Sequence, residues 1–151
     1  MRFISVSADY FALCGSDPEI LHKGSNRPHV LLLSLLYKGQ RLRFAVPLRS
    51  NIPPAAPKSQ YFPLPARSTT KTKHRHGLHY IKMFPITKQY QEKFWVGENP
   101  DYLLYQRIIE QNEKTIVSKC QEYLKNYENG IRPRFSVDID AALQKLGIHI
   151  S

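Results

Sequence analysis

Between Glu19 and Glu92 the chain has no aspartate and no glutamate. The same stretch holds thirteen of the 22 lysines and arginines, so the net charge of +10 is concentrated there and the flanks are slightly acidic. A field this one-sided draws in polyanions, of which nucleic acid is the commonest. The plainer reading of such a stretch is a solvated basic face. Cysteine is scarce too. Cys14 and Cys120 do not make a disulfide framework, which points to a reducing compartment. Long apolar runs are missing: the longest, Val30 to Tyr37, is broken by Ser34 and falls far short of the ~20 residues of a membrane span. Asp9 interrupts the N-terminal apolar residues, so no signal peptide is expected and the expected location is the cytoplasm. There is no G-x-S-x-G, Walker A loop, zinc-ribbon spacing or dinucleotide fingerprint.

What is present reads as one domain over residues 1–151, of α+β class, with strands first and helices after. Arg2 to Ser7 alternates as a short strand, and Asp9 to Leu13 reads as a turn or short helix. Asp17-Pro18-Glu19 has the order of a helix start, predicting a short helix that ends near Gly24. Val30 to Tyr37 and Arg41 to Val46 form an antiparallel hairpin about a Lys38-Gly39-Gln40 turn, with Leu42, Phe44 and Val46 on the buried face. Pro53, Pro54 and Pro57 exclude helix and central strand from residues 51–59. Tyr61 to Leu64 suits an edge strand, Arg67 to Gly77 a long basic loop, and Leu78 to Phe84 a further strand. Asn99-Pro100-Asp101 opens a helix whose apolar residues (Leu104, Ile108, Ile109, Ile116, Cys120, Tyr123, Leu124, Tyr127) predict one long helix over about 100–128, stopped at Asn129-Gly130. Ser136 caps a last short helix through Leu146.

Three histidines, His74, His76 and His79, invite a metal reading. Lys71, Lys73, Arg75 and Lys82 surround them and no acid stands near to neutralise a cation, so no metal and no cofactor are expected. Against phosphate the same residues make sense: Lys and Arg hold the backbone, and His near neutral pH gives or takes a proton. Tyr61, Tyr80 and Phe84 could stack on unpaired bases, although a strand buries one of its faces. RNA brings its own nucleophile, the 2′-hydroxyl, so a protein that cleaves it needs only a base, an acid and donors for the phosphorane charge. Ser50, Arg49, Lys58 and a histidine can supply these without metal, although Ser and Arg after a strand are ordinary turn residues.

Met1-Arg2-Phe3 leading to Tyr10, the hairpin ending in Pro47-Leu48-x-Ser50, and Gly77-Leu78-x-x-x-Lys82-Met83-Phe84-Pro85-Ile86, followed by the helices, run nearly the full chain. In these features the chain resembles the ToxN/AbiQ-type toxins of bacterial type III toxin–antitoxin systems. The resemblance implies a compact, twisted antiparallel sheet of Kid/MazF-like kind with a long helix in the C-terminal half and flanking short helices. It implies a metal-independent, sequence-specific endoribonuclease leaving 2′,3′-cyclic phosphate and 5′-hydroxyl ends. Its partners would be a cellular or phage RNA substrate and a repetitive RNA antitoxin, cut into pseudoknots, that forms a closed assembly with the toxin. Its role would be phage defence by abortive infection.

The family serine falls on Ser50. The threonine often found before it is Arg49 here, and the lysine two residues after it is Ile52, with Lys58 the nearest lysine beyond. The basic residue before the second strand is best matched by His29. The candidate catalytic set is therefore Ser50, Arg49, Lys58, and His29, His76 or His79 as base, with His74 a further candidate for that role. RNA contacts would fall to Tyr10, Arg67, Lys71, Lys73, His74, Arg75, Tyr80 and Lys82. A non-catalytic RNA-binding protein would use the same basic face. A membrane-surface or protein-binding domain would instead place its charge on an amphipathic helix, whereas here it lies on strands and loops.

Overall fold

The computed structural model describes residues 1–21, 29–94 and 100–150. β1 (Arg2–Val6) is followed by α1 (Ala8–Cys14), then β2 (His29–Tyr37) and β3 (Gln40–Ile52). β4 (Tyr61–Leu64), β5 (Arg75–His79), β6 (Phe84–Pro85) and β7 (Gln91–Lys93) complete the strands, and α2 (Pro100–Gln111), α3 (Glu113–Glu128) and α4 (Ile139–Lys145) close the chain. The sheet runs in the order β4-β5-β3-β2-β1-β7, with β6 beside β3, and each pair is antiparallel. The class is α+β, as the order of elements predicts.

The central hairpin turns on two residues. Lys38 and Gly39 both have positive φ, 49° and 77°, the conformation whose twist matches that of the flanking strands. Alternation along β2 and β3 then sorts their side chains onto two cores. Leu31, Leu33, Leu35, Phe44 and Val46 face α2 and α3, where Ile109, Ile116, Cys120, Leu124 and Tyr127 are buried. Val30, Leu32 and Ala45 face the other way, against Tyr10, Cys14, Phe84, Ile86 and Val137. Both cysteines are buried free thiols.

Four expectations change. Asp9 to Leu13 is helical, within Ala8–Cys14, but no helix starts at Asp17, where residues 17–20 are turn; the Asp17 carboxylate accepts from the Glu19 amide (2.9 Å) and, across the fold, from the Asp138 amide (3.0 Å). The end expected near Gly24 lies outside the described residues. The strand expected over Leu78 to Phe84 sits at Arg75–His79, and the chain then turns through a 3₁₀ segment, Tyr80–Lys82. Gly77 permits this placement: a Cβ there would meet the Phe62 carbonyl oxygen of β4 at 2.2 Å, so only glycine lets the edge strand approach. The long helix is two. Asn112, at φ −116°, sends its side-chain amide back to the Ile108 carbonyl at 2.7 Å, competing with the helical ladder. Leu104 is exposed and Tyr102 and Tyr105 are buried in its stead. Finally, Asp138, not Ser136, caps α4 by accepting from the Ala141 amide, while the Ser136 hydroxyl donates to the Pro133 carbonyl. The stop after α3 is as expected, with Gly130 at φ 90°. The expected cap Asn99 lies outside the described residues. No helix among them is long and apolar enough to cross a membrane.

Candidate functional site

β3 is longer than its hydrophobic alternation suggests, running on through Pro47 to Ile52 and pairing with β5 beyond. Arg49 pairs with Gly77 and Ile52 with Arg75, so β3 gains one residue between them. Ser50 and Asn51 occupy this bulge, half-buried. A bulge bends its strand and re-aims the side chains it carries, and bulges concentrate beside active sites. The Asn51 carboxamide oxygen accepts from the Lys71 amide at 2.7 Å, which ties the basic loop before β5 to the bulge.

On one side of Ser50 lies a buried cationic cluster. An Arg49 guanidinium nitrogen donates to His79 Nδ1 at 3.3 Å. His79 is 2% exposed and has Tyr61 edge-on to its ring. Burial, with Arg49 and Lys82 adding repulsion, pushes its pKa down to about 3, so it is neutral at pH 7. Its Nε2 has no partner among the described residues. Lys82 is also buried; its ammonium donates to Glu19 at 3.2 Å and to the Phe135 carbonyl at 2.8 Å. Burial lowers the Lys82 pKa and Glu19 opposes that shift.

His29 begins β2, one step beyond the Val30–Pro47 pair, which sets it beside the Leu48–Ser50 segment of β3. Its Nδ1 is 2.8 Å from the Tyr102 hydroxyl, and its ring is tilted against Phe94 at 4.0 Å. Arg67 lies over the Tyr102 ring at 5.3 Å. Burial first, and the Arg67 charge second, lower the His29 pKa, so this half-exposed imidazole is neutral at pH 7.

The three clustered histidines do not converge. His76 is buried on Tyr105 and its Nδ1–H donates to the Pro65 carbonyl at 3.0 Å, a carbonyl that also accepts from the Tyr105 hydroxyl. His79 turns to Arg49, and His74 Nδ1 engages the Thr72 carbonyl of its own loop. Among the described residues no three His, Cys, Asp or Glu side chains stand together as a metal site. Lys58 is exposed at the head of a 3₁₀ turn before β4, with β5 between that strand and β3.

Three of the residues expected to touch RNA are interior. Tyr10 is fully buried on Phe84, with its hydroxyl donating to the Pro85 carbonyl at 2.9 Å. Tyr80 lies in the core under the helices, and Lys82 is committed to its ion pair. The apolar bodies of Tyr10 and Tyr80 outweigh their polar tips. Lys71, Lys73 and Arg75 are exposed, and Arg67 and His74 half-exposed. Tyr102, Phe94, Asn51 and Glu19 complete the surroundings. Their only signal in the sequence is weak: Tyr102 shares one α2 face with Tyr105 and Ile109.

No family model matches the chain, and no curated protein sequence matches it. Solved structures do, and two of them are similar over nearly the whole chain. The first, from work showing that a processed non-coding RNA regulates a bacterial antiviral system, has a TM-score of 0.71 at 16% identity, covering 96% of this chain and 96% of its own. The second is AbiQ, a lactococcal anti-phage endoribonuclease belonging to the type-III toxin-antitoxin system. It has a TM-score of 0.69 at 16% identity, covering 97% of this chain and 95% of its own. The chain has the fold of these two proteins. Within the ToxN/AbiQ-type fold, Ser50 occupies the bulged end of a central strand, with His29 on the neighbouring strand.

Proposed function

We propose that residues 1–151 form one endoribonuclease domain, a toxin of the type III toxin–antitoxin kind that acts in the cytoplasm in phage defence and is held in check by a repetitive RNA antitoxin. The observation that carries this reading is the fold, shared over nearly the whole chain with an anti-phage endoribonuclease, with Ser50 in the bulge of β3 and His29 at the start of the strand beside it. The acid-free stretch around that place supplies the field for RNA.

The reaction is transesterification. The RNA 2′-oxygen forms a bond to the adjacent phosphorus as it loses its proton, the bond from phosphorus to the 5′-oxygen breaks, the departing 5′-oxygen takes a proton from solvent water, and the products carry a 2′,3′-cyclic phosphate and a 5′-hydroxyl. No metal is needed for that bookkeeping. His29, neutral and fixed through Nδ1 by Tyr102, takes the 2′-hydroxyl proton on Nε2. The Ser50 hydroxyl and its backbone amide donate to the phosphorane oxygens, and Arg49 supplies positive charge held in place by His79. His79 is thereby a positioning residue, and His76 secures the start of the basic loop through Pro65. Lys71, Lys73 and Arg75 hold the RNA backbone, and the antitoxin's pseudoknot units occupy the same surface in a closed protein–RNA assembly.

The test is cleavage of a mixed RNA by the purified protein in EDTA, with both new ends mapped and Ser50→Ala alongside. The expected result is cyclic phosphate and 5′-hydroxyl ends from the wild type and a loss of about 100-fold or more in Ser50→Ala, the scale of a lost oxyanion donor. Binding of RNA without cleavage by either protein would replace this reading with the RNA-binding one.

A further inference from the structure

We propose that Phe135 is a stacking platform for an unpaired base of bound RNA, an inference that rests on the reading of the chain as an RNA-binding enzyme. Phe135 ends the segment Ile131-Arg132-Pro133-Arg134-Phe135 between α3 and α4. It is 59% exposed, and it is the one aromatic among the large exposed apolar side chains of the described residues. Its backbone sits at φ 69°, a left-handed conformation that is unfavourable for a bulky side chain.

The surroundings hold that strain in place. The Phe135 carbonyl accepts from the buried Lys82 ammonium, which Glu19 anchors in turn. The next residues are pinned as well: the Ser136 amide and hydroxyl both donate to the Pro133 carbonyl, the Val137 amide to Ile81, and the Asp138 amide to Asp17. A buried lysine is thus spent on keeping an aromatic ring in water, although a small turn residue would satisfy the same backbone without strain.

The flanking arginines name the kind of occupant. Arg132 is engaged by Asp140 at 2.8 Å and lies over Tyr127 at 4.2 Å. Arg134 has no carboxylate partner among the described residues; its guanidinium lies over the Phe135 ring at 4.7 Å. An exposed ring carrying a free cation fits a base with its phosphate, and the sign of the charge selects against an acid-poor protein surface. Location agrees. Lys82 ends the 3₁₀ segment that directly follows His79, the residue Arg49 contacts, so Phe135 is moored to the cluster that adjoins Ser50. A strand whose scissile phosphate meets Ser50 and Arg49 would then lay a flanking base on Phe135. The sequence carried a hint in an aromatic set after Arg-Pro-Arg.

The test measures affinity for a single-stranded RNA containing 2-aminopurine, whose fluorescence is quenched by stacking, in a Ser50→Ala background that prevents cleavage. Phe135→Ala is expected to weaken binding roughly tenfold and to relieve the quench at one position, as loss of one base–aromatic stack does. Phe135→Trp should retain both within about twofold. Phe135→Gly should bind as weakly as Phe135→Ala yet unfold at the same or higher urea, because glycine relieves the left-handed φ. Binding by Phe135→Ala and Phe135→Gly equal to the parent would overturn the platform. Failure of the parent itself to bind RNA would overturn the RNA reading beneath it, and that control separates the two failures.

Discussion

Replacing His79 by glutamine turns its burial into a measurable slope of stability against pH. In the folded chain His79 titrates near 3, while in the unfolded chain it takes its ordinary value near 6.5. The unfolded state therefore binds the extra proton between these values, and stability is present above 6.5 and lost as the pH falls through that window. For this one group the loss between pH 7 and pH 5 is about 2 kcal/mol, approaching about 1.4 kcal/mol per pH unit well below 6.5. Glutamine cannot titrate, and its carboxamide oxygen can still accept from Arg49. The lowered pKa values of His29 and His76 add slopes of the same sign in both proteins and cancel in the comparison. Asp140, whose pKa is lowered by Tyr37, Arg132 and Lys38 against a burial penalty, loses its contribution only below the ordinary carboxylate range and stays outside the window. The assay is urea unfolding at pH 7, 6 and 5 at constant ionic strength. Between the two ends of that range the wild-type midpoint should fall by about 1 M more than that of His79→Gln, for m-values of ~2 kcal/mol/M. Equal slopes in the two proteins would refute the claim that His79 is held neutral in the interior.

Gly77→Ala should destabilise by about 1–3 kcal/mol, the scale of overpacking, because the new methyl meets the Phe62 carbonyl and the Pro63 backbone; urea unfolding checks it, and a neutral result would mean that β4 does not approach β5 this closely. Tyr10→Phe strips the Pro85 carbonyl of its buried donor and should cost about 1 kcal/mol in the same assay while leaving RNA affinity unchanged, whereas a loss of affinity without a loss of stability would return Tyr10 to the RNA surface.

The strands that carry the candidate residues were legible in the sequence. Ser50, Arg49 and His29 were candidates before any packing was known, and they fall on β3 and its hairpin partner, whose pairing follows from alternation and the Lys38-Gly39 turn. The fifth strand was placed three residues too late. Leu78 to Phe84 alternates well enough for a strand, but Gly77 and His76 pair with β4, and those pairs exist only when the edge strand is in place. The single long helix failed at Asn112, where a side-chain hydrogen bond of local origin outweighed a good apolar period. Tyr80 and Lys82 were assigned to RNA by residue type and Tyr10 through the family resemblance, and each is interior.

Properties that sum along the chain were settled by the amino-acid order alone: the acid-free basic stretch, the absence of a span-length apolar run, and the strand and helix periods that give an α+β protein. Which ionisable groups face solvent and which hold the protein together was decided by the tertiary structure. Lys82 and Lys71 are the same residue type in the same basic stretch. One is buried against Glu19, 63 residues away, and the other stands in solvent. The physical reason is that desolvation and pairing depend on the elements packed around a group, and those elements come from distant parts of the chain.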